Sequence, residues 1–121
     1  MGCGDYSTPV LSAIARSRGS RFVVHTSDQV WANKFYKYAE IEIVDWVAYV
    51  PHGTWGLVML DNDQYTCDRI KLIPNLSKIC KKIVMHDADA AMLSPDYSDL
   101  TEGLKSTMYA QHTPWTVVLE C

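Results

Sequence analysis

The sequence predicts an α/β fold, a parallel sheet of about five strands with helices on both faces. Three observations lead there. Apolar, β-branched runs recur along the chain, and most are apolar on both faces, as buried parallel strands are. Segments with helical spacing of apolar residues separate them. The apolar runs end in polar or acidic residues, and in a parallel sheet ligands gather at that carboxyl end.

The elements follow in order. "RFVVHTSD" (Arg21–Asp28) is a buried strand ending in polar residues. "DQVWANKFYKYAE" (Asp28–Glu40) is a helix that Asp28 can cap, with Trp31, Phe35 and Tyr38 at helical spacing. "IEIVDW" (Ile41–Trp46) alternates as a short strand, and a loop with Pro51 and Gly53 follows. "WGLVMLDND" (Trp55–Asp63) is an apolar strand dissolving into acids. "CDRIKLIPNLSKICK" (Cys67–Lys81) carries Ile70, Ile73, Leu76 and Ile79 at helical spacing, and Pro74 bends or divides it. "KIVMHDAD" (Lys82–Asp89) is another acid-tipped strand. Residues Ser94–Gln111 read as a loop and then a helix, and "PWTVVLEC" (Pro114–Cys121) as a last strand.

Composition narrows the function classes. The chain has 121 residues, 48% hydrophobic and 21% charged, which suits one globular domain over residues 1–121. The net charge of −3 and the lack of a basic block leave no phosphate footprint, so nucleic acid is not expected as a partner. No apolar run is long enough to span a bilayer, so no membrane role is expected, and without a basic-then-apolar opening no secretion signal is expected either. Cys3, Cys67, Cys80 and Cys121 lack C-x-x-C pairing and read as free thiols of a reducing cytoplasm.

Joined end to beginning, the chain reads "PWTVVLEC" then "MGCGDYSTPVLSAIARS": strand, glutamate, glycine turn, helix. With Arg21–Asp28 next, the join makes a complete β-α-β unit. It resembles the E-x-G-x-G motif of class I S-adenosylmethionine-dependent methyltransferases, a Rossmann-like family, with Glu120, Gly2 and Gly4 at its fixed positions. One extra residue stands between Glu120 and Gly2. The resemblance implies a circular permutation: the strand Trp115–Glu120 in mid-sheet, between Val23–Val24 and Leu57–Met59, in the spatial order 3-2-1-4-5. The family's usual antiparallel hairpin has no counterpart in this reading. An exposed edge is left at Lys82–Asp89, where a second subunit could pack to give a homo-oligomer.

Several further segments are similar to that family. Asp28 and Trp31 match its second strand and helix, with Thr26 where the ribose-binding acid would fall. Asp45 and Trp46 stand where an acid and a ring flank the adenine. "MLDND" matches two acids, Asp61 and Asp63, of the small-molecule O-methyltransferases, and "MHD" matches His86 and Asp87. The resemblance implies that S-adenosylmethionine is held by Glu120, Gly2, Gly4, Ser7, Thr26, Asp28, Asp45, Trp46 and Asp61. It implies methyl transfer to a small-molecule acceptor, with Asp61, His86 and Asp87 as catalytic residues. The resemblance to the metal-dependent O-methyltransferases also implies magnesium at Asp61 and Asp87, with Asp63 and Asp89 completing the site; oxygen ligands suit such a hard cation, which could lower the pKa of an acceptor hydroxyl. His86 is the alternative general base.

Two other classes stay open. One is a non-catalytic binding module that keeps the fold. The other is an unrelated α/β domain whose acid-tipped strands gather around magnesium or a phosphate. Each acid also has a plain structural use: Asp61 and Asp63 could cap the helix near Cys67, and polar residues end strands because strands leave the core there.

Overall fold

The structure, a computed structural model, describes residues 6–61, 69–89 and 96–121. The chain forms two compact units, Met1–Tyr49 and Val50–Cys121.

In the first unit, helix α1 (Ser7–Ser17) precedes a β-α-β unit: β1 (Val23–Thr26), α2 (Gln29–Phe35) and β2 (Glu40–Ile43). The strands are parallel, with Val23 opposite Glu40 and Thr26 opposite Ile43. Asp28 starts α2 as expected, its Oδ1 accepting from the Val30 and Trp31 N–H groups at 2.7 and 3.1 Å. The helix is shorter than its aromatic spacing predicts, because Tyr36–Tyr38 turn out of it toward β2. Val24, Ala32, Phe35 and Trp46 are the buried apolar residues of this unit.

The second unit is built on a mixed sheet. Its strands are β3 (Val58–Leu60), β4 (Lys82–His86), β5 (Lys105–Tyr109) and β6 (Thr116–Glu120), in the order β3-β4-β6-β5. β3 and β4 are parallel, while β6 runs antiparallel to both β4 and β5. A 3-10 turn (Arg69–Leu72) and α3 (Ile73–Leu76) make the crossover from β3 to β4, with Pro74 at the start of α3. Pro74 thus divides the segment, because its ring fits the first helical turn and not the interior. The helix α4 (Tyr97–Leu100) precedes β5. Leu60, Ile73, Ile83, Met85, Val117 and Leu119 are fully buried and form the core.

This architecture overturns the expected single five-strand parallel sheet. Among the described residues there are two sheets, one of two parallel strands and one of four mixed strands. Both sides of β6 are taken by antiparallel neighbours, so Trp115–Glu120 is not a central parallel strand between Val23–Val24 and Leu57–Met59. The cause lies in residues 94–111, where the helix expected before the last strand is replaced by α4, a turn at Gly103 with φ +79°, and β5. A strand placed there returns directly as a hairpin, which forces β6 to run antiparallel. Lys82–Asp89 is likewise not an edge, since β4 lies between β3 and β6.

Candidate metal centre

β3 and β4 end side by side. Leu60 pairs with Met85, so the residues that follow, Asp61 and His86, leave the sheet together at its carboxyl end. His86 Nδ1 lies 3.2 Å from Asp61 Oδ1 and 3.3 Å from Asp87 Oδ1. One ligand atom from each of Asp61, His86 and Asp87 can be chosen so that all lie within 4.8 Å of one another. All three side chains are partly exposed, at 24%, 38% and 46% for Asp61, His86 and Asp87, so a ligand can reach them.

The local backbone is what turns Asp87 back toward this point. Its φ of +52° is left-handed, a conformation that Asp, Asn and Gly tolerate better than other residues. The next residue, Ala88, is fully buried, and its N–H donates to the Trp115 carbonyl at 2.9 Å. The loop after β4 is therefore tied to the residue preceding β6, which fixes where the Asp87 carboxylate stands.

Arg69 lies behind the cluster and was not singled out from the sequence. It is 5% exposed and its Nη1 donates to the His86 carbonyl. Its Nε makes no hydrogen bond among the described residues. Arg69 is therefore a buried cation held against the backbone of the strand end that carries His86.

The structure places the remaining sequence-predicted residues as follows. Asp89 is half-buried, two positions beyond Asp87, and is not one of the three whose ligand atoms converge. Gly2, Gly4 and Asp63 lie outside the described residues. Ser7 begins α1, and Asp28 is engaged in capping α2. Thr26 is buried at the end of β1, its Oγ1 accepting from the Asp28 N–H at 3.2 Å. Asp45 closes a small turn by accepting from the Val47 N–H at 3.0 Å, and Trp46 is buried edge-on against Tyr49 with ring centroids 5.3 Å apart.

Glu120 sits at the other end of the second unit's sheet from Asp61. It pairs with Lys82 and Lys105 at 3.2 and 3.3 Å. These two ammonium groups hold its carboxyl below the usual carboxylate range. Because β6 is antiparallel to β4, Glu120 faces the first residue of β4 while His86 is the last, about 13 Å away along a strand rising about 3.3 Å per residue. The antiparallel direction therefore separates Glu120 from the Asp61–Asp87 cluster.

A second polar cluster lies in the first unit. His25 is buried, with Nδ1 2.7 Å from the Tyr49 hydroxyl and Nε2 2.9 Å from Glu42. Burial and then the Glu42 charge push the Tyr49 hydroxyl up to about 12, so it stays protonated. His25 and Glu42 are register partners on β1 and β2, which makes this a cross-strand tie.

Among the described residues, no helix is long and apolar enough to cross a membrane. Comparison with protein-family models, curated proteins and solved structures finds no match for this chain.

Proposed function

We propose that Asp61, His86 and Asp87 hold a hard divalent cation, magnesium or manganese, that takes the phosphate oxygens of a ligand such as a nucleoside diphosphate. The observation that carries this reading is the convergence of three ligand atoms at the ends of two parallel strands. Magnesium characteristically binds through one or two carboxylates and completes its shell with water and substrate phosphates. The two carboxylates alone would repel an anion. A divalent cation reverses that sign, and Arg69 behind the strand end adds to it. The chemistry open to such a site is transfer or hydrolysis at the phosphate-bearing group, with the cation stabilising charge on the leaving oxygens.

Cation-assisted methyl transfer from S-adenosylmethionine to an oxygen acceptor is the second reading. It uses the same pair, Asp61 and Asp87, and their proximity through His86 is the observation it retains. It no longer has Glu120 beside them.

Calorimetric titration separates the two readings. The chain is titrated with manganese alone, with a nucleoside diphosphate with and without manganese, and with S-adenosylmethionine. The phosphate reading expects nucleoside diphosphate binding that requires the cation and is lost in Asp61→Asn. Micromolar binding, on the order of −8 kcal/mol, would send the search to acceptors. S-adenosylmethionine binding without nucleotide binding would transfer the site to methylation. No heat from any of these ligands at millimolar concentration would overturn both readings.

A further inference from the structure

Cys80 and Cys121 are 41 positions apart, yet their Sγ atoms lie 3.9 Å from each other. Cys80 is buried at the end of the connection from α3 to β4, where it bridges to Trp55. Cys121 is exposed just beyond β6, and its N–H donates to the Lys81 carbonyl at 3.0 Å. The register that sets Lys82 opposite Glu120 brings the two thiols to the same end of the sheet.

We propose that Cys80 and Cys121 are a disulfide-forming pair, oxidised by exchange with a low-molecular-weight disulfide such as oxidised glutathione. The exposed Cys121 thiolate attacks one sulfur of glutathione disulfide. That S–S bond breaks, a mixed disulfide forms on Cys121, and one glutathione thiolate leaves. Cys80 then releases its proton to solvent and attacks Cys121 Sγ, expelling the second glutathione thiolate. The protein loses two electrons and two protons, and one disulfide becomes two thiols. The sulfurs must close from 3.9 Å to about 2 Å.

The geometry also sets which step is slow. Burial, and then the neighbouring Cys121 thiol, push the Cys80 thiol up to about 12. Attack by Cys80 should therefore be faster at mildly alkaline than at neutral pH, as its thiolate fraction grows. The mixed disulfide removes any charge from Cys121, which eases the second step.

The test uses the full chain incubated with oxidised glutathione at neutral and mildly alkaline pH, then alkylated and mapped by peptide mass without reduction. The expected product is a peptide pair joined through Cys80 and Cys121, formed faster at the higher pH. In Cys121→Ser, a surface change that leaves the core intact, Cys80 should remain alkylatable. Urea should abolish the preference for this pair over links to Cys3 or Cys67. A lasting glutathione adduct on Cys121 with Cys80 still alkylatable at both pH values would overturn the proposal. So would equal yields of all cysteine pairings in the native chain.

Discussion

Glu120 lies opposite Lys82 in the register of β4 and β6, its carboxylate 3.2 Å from that ammonium and 3.3 Å from Lys105 on the far side. One acid thus ties the three strands β4, β6 and β5 at one end of the sheet. The two lysines depress its pKa below the ordinary carboxylate value. A depressed acid stabilises the fold above its unfolded pKa and loses that contribution as pH falls through its folded value. Urea midpoints followed from neutral pH down through the carboxylate range should therefore fall less steeply in Glu120→Gln than in the parent chain. The difference should shrink in high salt, because the pairs are at the surface. Parallel pH profiles would remove the three-strand tie.

Asp28 accepts from two backbone N–H groups at the start of α2. Asp28→Ala should cost about 1 kcal/mol in urea unfolding, and Asp28→Asn much less, since an amide oxygen also caps. Equal losses would mean that the charge, not the cap, is what matters there.

Ile83 and Leu119 are register partners on β4 and β6, and both are fully buried. Leu119→Ala should destabilise the chain by about 2–5 kcal/mol, the range for a truncated core leucine. A loss under about 1 kcal/mol would mean that this antiparallel pairing is not central to the core.

Arg69 offers a test with opposite signs. Removing its charge in Arg69→Met should leave manganese binding unweakened, because a cation near the site repels another. The same change should weaken cation-dependent nucleotide binding, because a positive neighbour of the phosphates is lost. Equal weakening of both would mean that Arg69 only holds the His86 carbonyl and the strand end.

The parts of the fold that were legible in the sequence are those with a local cause. Asp28 reads as a cap because its side chain acts two and three residues ahead. Pro74 reads as a division because its ring excludes a continuous helix. Arg21–Asp28 and Lys82–Asp89 read as strands because they carry apolar, β-branched runs, and those runs form β1 and β4. Strand direction has no such local cause. "TVVLE" is equally apolar whichever way it runs, and only the hairpin with β5 decides. β5 itself is exposed along its whole length, so no alternation of apolar and polar residues marked it as a strand. Its Thr and Tyr, and Gly103 just before it, were the available signal.

The candidate site divides in the same way. Asp61, His86 and Asp87 were legible because they end apolar runs, and two parallel strands bring such ends together. Arg69 was not, because a single arginine within a helical segment looks like any solvated residue until its burial is seen.

The left-handed backbone at Asp87 restricts that position from two sides. Its φ of +52° admits glycine, asparagine and aspartate with least strain, while the proposed cation asks for a carboxylate. Aspartate alone meets both demands. Glutamate would keep the charge and strain the loop, and asparagine would keep the loop and discard the charge. Shape and chemistry can therefore be separated at this residue by choosing between those two replacements, since each removes one property and preserves the other.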